Sequence, residues 1–306
     1  MRRILVALAL LAFVCTNQAV AQPPAVEKNV IYGMYSGLAL LMDVHRPEKP
    51  NGYSIVFIAG SGWQASLGYG APALKEGQIK EWGPALLEAG YTIFAINHRA
   101  APRFHYPAAV EDVQRAVRFV RHNAGRFKID PNRIGGLGGS SGGHLVGLVA
   151  MLGAAGNADD PDPVNRQPAT LQCVVLRAAP SDLKQMLSAG GIGPAAVVSF
   201  MERAGTPDDE KLYRAASPIS HVAKSSPPVL LLHGDADTTV PYQQSVAFEA
   251  ALRTANVPVK LVRVAGGQHG SDFGTAGKPH ADFPKVLSET VSWLDRYLKA
   301  GAESLR

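Results

Sequence analysis

Six short apolar runs, separated by longer amphipathic stretches, constrain the fold of this chain more than any other feature. The runs are SIVFIAG (54–60), YTIFAIN (91–97), RIGGLGG (133–139), CVVLRAA (173–179), PVLLLHG (228–234) and VKLVRVAG (259–266). Apolar strands without regular polar alternation, placed between helices, are typical of a parallel sheet that is covered on both faces. We therefore predict an α/β fold.

The stretches between these runs carry helical periodicity. PAAVEDVQRAVRFVRHNAG (107–125) begins with a proline, spaces its valines by three and four residues, and stops at a glycine, which predicts an amphipathic helix. VPYQQSVAFEAALRTANV (240–257) and FPKVLSETVSWLDRYLKA (283–300) behave similarly. Before the first run, LALLMDVHRP (38–47) is followed by turn residues, which predicts an antiparallel strand or hairpin that opens the fold.

The amino terminus has the three parts of a secretory signal. Arg2 and Arg3 precede an apolar run, and Ala19-Val20-Ala21 precedes Gln22, so we predict a signal peptide over residues 1–21 and one catalytic domain over 22–306. The apolar run is too short for a stable membrane anchor. We expect an exported protein, either periplasmic or secreted.

Removal of the signal changes the charge and the cysteine content. The formal net charge falls from +5 to +3 because Arg2 and Arg3 are lost. No run of like charges remains, so nothing in the sequence favours a nucleic-acid partner. Cys15 is removed, which leaves Cys173 without an internal disulfide partner. Because Cys173 lies in an apolar run, we interpret it as a buried strand thiol.

Candidate catalytic residues follow the predicted strands. Functional groups gather at the carboxyl ends of strands in an open parallel sheet, and three of the six ends read GGSSGGH (138–144), HGDADTTVP (233–241) and GGQHGSDF (266–273). A serine needs a histidine to accept its proton, and that histidine needs an acid to fix its tautomer. Serine, acid and histidine occur here in the chain order of α/β-hydrolase triads.

The local patterns leave alternatives at each position of the triad. Both Ser140 and Ser141 fit G-x-S-x-G, the pattern of a nucleophile elbow in which glycines allow a sharp turn from strand to helix. Asp237 is favoured as the acid, with Asp235 as its competitor in the same loop. His269 is favoured as the base.

Three other histidines lie within or after these strand-end segments. His280 is its main rival, since it also lies downstream of the last apolar run. His144 and His233 are interpreted as packing or hydrogen-bonding residues, because the first lies on the elbow helix and the second ends a strand.

Backbone donors for an oxyanion are expected from AGSGW (59–63), which follows an early strand. We predict the N–H groups of Gly60 and Ser61 as donors, together with the residue after the nucleophile. The alternative is that this loop is a plain turn. The stretches 157–167 and 188–205 are interpreted as insertions above the sheet, and the second forms either a lid or pocket wall, or a surface excursion.

The chain resembles the secreted bacterial α/β-hydrolase serine esterases, a group that includes hormone-sensitive-lipase-like, feruloyl and acetyl-xylan esterases. The resemblance rests on YPAAVEDVQRAVRFVRHNAGRFKIDPNRIGGLGGSSGGHL (106–145), SPISHVAKSSPPVLLLHGDADTTVPYQQS (217–245) and GGQHG (266–270). It implies an α/β-hydrolase fold with a mostly parallel sheet of about eight strands and helices on both faces. The family elbow, G-x-S-A-G-G followed by His-Leu, makes Ser140 the nucleophile and gives Ser141 a backbone donor role.

The resemblance also implies an activity, although the chain departs from the family at two places, one of which is His98-Arg99 where the family usually has Tyr-Arg. The implied activity is hydrolysis of carboxylic esters through an acyl-enzyme, with Asp237 as the acid and His269 as the base, and with no metal or organic cofactor. The expected substrate is a small-molecule or polysaccharide-linked ester, either short-chain or of plant-cell-wall type. The usual H-G-G-G-W loop reads AGSGW (59–63) here, which motivates a non-catalytic binding protein as one alternative. A peptidase or amidase with the same triad is the other.

Export predicts cleavage after Ala21 when the full chain is expressed in a bacterial host. The intact mass of the exported protein should match a chain that begins at Gln22, because the small residues at 19 and 21 suit the signal peptidase. An exported protein that retains residues 1–21 would contradict this prediction.

Overall fold

The computed structural model describes residues 26–203, 205–275 and 277–299. The predicted signal peptide at 1–21, and Cys15 within it, lie outside the described residues. Eight strands form one sheet: β1 (Val26–Tyr35), β2 (Leu38–His45), β3 (Ser54–Ile58), β4 (Thr92–Ile96), β5 (Ile134–Gly139), β6 (Val174–Arg177), β7 (Val229–Gly234) and β8 (Val259–Val264).

The order of the strands is β1-β2-β4-β3-β5-β6-β7-β8. The β1–β2 and β2–β4 pairs are antiparallel, and the other five pairs are parallel. The prediction of a mostly parallel sheet of about eight strands is thus confirmed, with the expected hairpin at its start. Each of the six apolar runs forms one parallel strand.

Nine α-helices connect the strands in the part of the chain that the structure describes. They are α1 (Ile79–Glu88), α2 (Ala108–His122), α3 (Ala124–Phe127), α4 (Ser141–Leu152), α5 (Leu183–Met186), α6 (Gly193–Met201), α7 (Glu210–Ala215), α8 (Gln243–Thr254) and α9 (Phe283–Leu294). Short 3₁₀ turns occupy Leu74–Glu76, Pro207–Asp209 and Pro218–His221, and a π-helical turn, Asp295–Lys299, follows α9. Every helix among the described residues is too short or too polar to cross a lipid bilayer.

The core lies in two layers, one on each face of the sheet, as a covered parallel sheet requires. One layer holds the valines of α2, including Val113 and Val117, and the apolar side chains of α4. The other packs α1 and α9 against the sheet through Trp82 and Leu294. Residues of β3, β4, β5, β6 and β7 are buried along their full length, which explains why their sequences lack polar alternation.

The start of α4 makes a close backbone contact with the sheet. A β-carbon built on Gly142 would lie 2.2 Å from the carbonyl oxygen of Ile58, and one built on Gly138 would lie 2.5 Å from the carbonyl group of Gly142. No side chain fits at such separations, so the glycines of the elbow allow β3, β5 and α4 to meet.

We predict that Gly142→Ala destabilises the protein by at least about 3 kcal/mol, because its methyl group would overlap rigid backbone atoms. Gly125→Ala is the matched control, since Gly125 is an exposed residue of α3 with no atom within 4 Å of the added carbon. That change should stabilise the protein by up to about 1 kcal/mol. Urea unfolding of both variants measures the difference, and equal free energies of unfolding would refute the packing argument.

Candidate active site

Three polar side chains meet above the carboxyl ends of the parallel strands. Ser140 directly follows β5, Asp237 lies in the loop after β7, and His269 lies in the loop after β8. Because these strands run in the same direction, their carboxyl ends share one edge of the sheet. The fold therefore brings together residues that are separated by up to 129 positions in the chain.

The three side chains form a continuous chain of hydrogen bonds. The distance from His269 Nδ1 to Asp237 Oδ2 is 2.7 Å, and the distance from His269 Nε2 to Ser140 Oγ is 2.9 Å. With Nδ1 protonated, His269 donates to the carboxylate, and its Nε2 accepts the serine hydroxyl. This is the arrangement in which an imidazole can take a proton from a serine.

The backbone of Ser140 has the geometry of a nucleophile elbow. Its φ is 52° and its ψ is −126°, a conformation that non-glycine residues rarely adopt. The Ser140 N–H donates to the carbonyl of Arg177 at 2.7 Å, which holds the turn against β6. The hydroxyl of Ser141, in contrast, accepts the N–H of Ser61 at 2.9 Å. Of the two serines, Ser140 is the one that contacts His269.

Asp237 is held as a carboxylate by several donors. Burial opposes its ionisation, but hydrogen bonds with His233 and His269 and from the Val240 N–H outweigh burial and bring the pKa of Asp237 well below its usual range. The N–H groups of Thr239 and Val240 donate to Oδ1 at 2.8 and 2.9 Å. One carboxylate oxygen therefore fixes the loop, while the other faces the imidazole of His269.

His233 supports the acid from below, as a hydrogen-bonding residue. Its Nε2 lies 3.0 Å from the carbonyl of Val240 and 3.4 Å from Asp237 Oδ2, and its Nδ1 lies 2.7 Å from Ser245 Oγ. The shorter contact with the carbonyl takes the larger share of the Nε2 proton.

The competing residues are placed elsewhere. Asp235 accepts the N–H of Gly266 at 2.6 Å and pairs with Arg263. His280 contacts the carbonyl of Ala265 through Nε2 at 3.2 Å. Cys173 is buried, and burial raises the pKa of its thiol, which makes it a poor nucleophile.

Two of the three predicted oxyanion donors are already hydrogen-bonded to side chains. The N–H of Gly60 donates to Gln78 Oε1 at 3.0 Å, and the N–H of Ser61 donates to Ser141 Oγ at 2.9 Å. Ser141 is the first residue of α4, so its own N–H belongs to the turn that lacks acceptors within the helix. A substrate oxygen at Gly60 and Ser61 must therefore replace two existing acceptors.

His144, on α4, connects the loop that carries Trp63 to Ala216, which follows α7. Its Nδ1 accepts the indole N–H of Trp63 at 3.0 Å, and its Nε2 lies 2.7 Å from the carbonyl of Ala216 and donates to it. The ring is fully buried, and burial lowers the pKa of His144 to about 4. The neutral tautomer with a proton on Nε2 satisfies both partners, which agrees with the hydrogen-bonding role predicted for this residue.

A cavity of about 430 Å³ opens beside Ser140 and His269. Gly60, Ser61 and Gln78 line it. Ile192, directly before α6, Ala196 within α6 and Met186 also line it. Part of the 188–205 stretch thus forms a wall of this cavity. The 157–167 stretch forms turns without a named helix or strand.

Two residues of the site were missed in the sequence, namely Gln78 and Arg177. Both line the cavity. No sequence pattern marks Gln78, because its role depends on a hydrogen bond with Gly60, which lies 18 positions earlier in the chain. Arg177 did carry one, since a charged residue at the end of an apolar strand such as CVVLR is unusual.

Comparison with known proteins identifies relatives over most of the chain. The sequence model of the BD-FAE family matches residues 42–252. "Esterase LipQ" of Mycobacterium tuberculosis is 35% identical over 214 residues, which cover 68% of this chain and 48% of that protein. "Acetylxylan esterase" of Xylanibacter ruminicola is 25% identical over 253 residues, which cover 81% of this chain and 46% of that protein. The chain spans about half the length of these two relatives.

A solved structure resembles this one over most of the chain. It is described as a truncated form of a carbohydrate esterase from gut microbiota, and it superposes with a TM-score of 0.74 at 26% sequence identity. The match covers 92% of this chain and 99% of that chain.

The buried, neutral His144 predicts a pH dependence of stability. The pKa of a histidine in an unfolded chain is about 6.5. Between pH 6.5 and 4, His144 therefore binds a proton in the unfolded chain but remains neutral in the folded protein. The free energy of unfolding should fall as the pH decreases through this window, by up to about 3 kcal/mol from this residue. His144→Gln keeps a donor for the carbonyl of Ala216. Its free energy of unfolding should depend less steeply on pH, by an amount equivalent to the uptake of up to one proton on unfolding. Urea unfolding at several pH values tests this, and equal slopes in both proteins would disprove it.

Proposed function

Because this chain belongs to the BD-FAE family, we propose that it is a serine hydrolase that cleaves carboxylic esters through an acyl-enzyme. The α/β-hydrolase fold predicted from the sequence is confirmed by the sheet and by the solved structure that resembles it. The single observation that supports the mechanism is the hydrogen-bond chain from Asp237 through His269 to Ser140, with the serine at the edge of a cavity.

Acylation begins with Ser140. Its Oγ attacks the ester carbonyl carbon while His269 Nε2 accepts the hydroxyl proton. The carboxylate of Asp237 stabilises the imidazolium that forms and keeps Nδ1 protonated. Collapse of the tetrahedral intermediate breaks the bond to the alcohol oxygen. His269 returns the proton to that oxygen, so the alcohol leaves and the acyl group stays on Ser140.

The developing oxyanion is proposed to bind the N–H groups of Gly60, Ser61 and Ser141. In the resting protein the first two donate to neutral side-chain oxygens, of Gln78 and Ser141. A negatively charged oxygen is a stronger acceptor than an amide or hydroxyl oxygen, so it can displace both. These donors are held in place by the anchored loop and the start of α4, which is the preorganisation that oxyanion stabilisation requires.

Deacylation reverses these roles with water as the nucleophile. His269 takes a proton from water, the hydroxide adds to the acyl carbon, and the carboxylic acid leaves as Ser140 regains its proton. Each step uses side chains of this protein and the two substrates, ester and water. The mechanism therefore requires no metal or organic cofactor.

The proposed substrate is a short-chain ester, free or linked to a carbohydrate. A cavity of about 430 Å³ walled by apolar residues of α6 suits a small acyl group. Two proteins that resemble this chain are described as an acetylxylan esterase and a carbohydrate esterase. The export predicted from residues 1–21 would bring the enzyme to extracellular esters of this kind.

A fluorophosphonate probe tests the nucleophile. The parent protein should become labelled and should hydrolyse 4-nitrophenyl acetate, whereas Ser140→Ala should lose labelling and at least about 10⁴-fold in kcat/KM. Ser141→Ala is the matched control, because it keeps the backbone N–H and should retain both labelling and activity within about tenfold. A labelled, active Ser140→Ala beside an inactive Ser141→Ala would reverse the assignment.

A further inference from the structure

Arg177 is a charged side chain buried beneath the proposed catalytic residues. It ends β6, and only 1% of its surface is exposed. Its backbone pairs with Gly139, and its carbonyl accepts the N–H of Ser140. The residue therefore lies directly beside the turn that presents the nucleophile.

Only one end of its guanidinium group is hydrogen-bonded. Nη1 donates to the carbonyls of His269 and Gly270 at 2.9 and 3.0 Å. Nε and Nη2 are buried and have no hydrogen-bond partner within residues 26–203, 205–275 and 277–299. Buried donors of a charged group are costly to leave unsatisfied, so this pair calls for an acceptor that the described part of the chain does not supply.

The unsatisfied edge points toward the space next to Gly139. A β-carbon built on Gly139 would lie 2.7 Å from both Nε and Nη2, and 3.0 Å from Gln78 Oε1. Arg177 and Gln78 both line the cavity that contains Ser140. Gln78 Oε1 thus borders the same space next to Gly139 as this edge, while it accepts the N–H of Gly60. If the Gln78 side chain turns away, the edge of Arg177 faces the substrate.

The charge of Arg177 persists despite its burial. Burial lowers the pKa of Arg177 to about 10, and the nearby carboxylates of Asp237 and Asp272 oppose that shift. The group is thus a cation near neutral pH. Asp237 is already engaged by His269, and Asp272 Oδ1 accepts the N–H of Gly274 at 2.9 Å. Neither carboxylate forms a hydrogen bond with Nε or Nη2.

We propose that the Nε and Nη2 edge of Arg177 binds a carboxylate group of the substrate, next to the ester that Ser140 attacks. This inference rests on the proposed esterase function and narrows its substrate class to carboxylate-bearing esters. Nε–H and Nη2–H are parallel donors, the arrangement that matches the two oxygens of a carboxylate. Binding would displace Gln78, so the same event would free the Gly60 N–H for the oxyanion.

The test compares esters that differ only in charge. The 2-, 3- and 4-acetoxybenzoates are each paired with the corresponding neutral acetoxybenzamide, and the ratio of their kcat/KM values is measured. In the parent, at least one pair should favour the carboxylate by tenfold or more, as expected for a charge-assisted bidentate contact. In Arg177→Met this ratio should fall at least tenfold. The ratio cancels any general loss of activity that follows from releasing the His269 loop.

Arg121→Met is the matched control. Arg121 is another largely buried arginine that donates to backbone carbonyls, those of Pro131, Pro168 and Thr170. Its loss should reduce stability but preserve the parent's charge preference. If Arg177→Met does not fold, inhibition of the parent by benzoate and benzamide replaces it, and benzoate should bind at least tenfold more tightly.

The possible outcomes separate this inference from the proposed function. A parent that takes up the fluorophosphonate probe and hydrolyses neutral esters, yet shows no pair with more than a twofold preference for the carboxylate, would overturn the role of Arg177 alone. Equal losses on both members of each pair in Arg177→Met would overturn it as well, since they would assign Arg177 to holding the His269 loop. A parent that neither reacts with the probe nor cleaves any ester would overturn both proposals.

Discussion

The close approach of backbone at the end of β5 is the constraint on which the site depends. Ser140 turns the chain from β5 into α4, and the carbonyl of Ile58 lies where a side chain of Gly142 would stand. Because glycine removes that obstacle, the loop after β3 that carries the proposed oxyanion donors can lie against the start of α4. The strained φ of Ser140 is maintained by this packing, since a turn exposed to solvent would relax.

Buried polar groups then hold the loops around this turn. His144 connects Trp63 to Ala216, His233 supports the Asp237 loop, and Arg177 fastens the carbonyls of His269 and Gly270. Each group reaches from a regular element to a loop that regular secondary structure does not fix. Polar networks of this kind favour one loop geometry, because any other would leave buried donors without acceptors.

The sheet could be predicted from the sequence because each buried strand corresponds to an uninterrupted apolar run. The positions of Asp237 and His269 at strand ends could be predicted from the same runs. The choice between Ser140 and Ser141 could not be made locally, since both serines fit the elbow pattern, and it needed the register of the family. The hydrogen-bond partners of Gly60 and Ser61 could not be predicted from the sequence. Gln78 and Ser141 contact them only because three separate elements pack together in the fold.

In the proposed mechanism, the occupied N–H groups of Gly60 and Ser61 affect the substrate complex and the transition state differently. A neutral ester carbonyl is an acceptor of about the same strength as the side-chain oxygens of Gln78 and Ser141, so replacing them gains little when the substrate binds. An alkoxide gains much more from the same two donors. Competition from the side-chain oxygens of Gln78 and Ser141 thus weakens binding of the substrate, whereas the transition state keeps most of its stabilisation. In the proposed mechanism, donors of this kind would therefore raise kcat without strengthening substrate binding in the Michaelis complex.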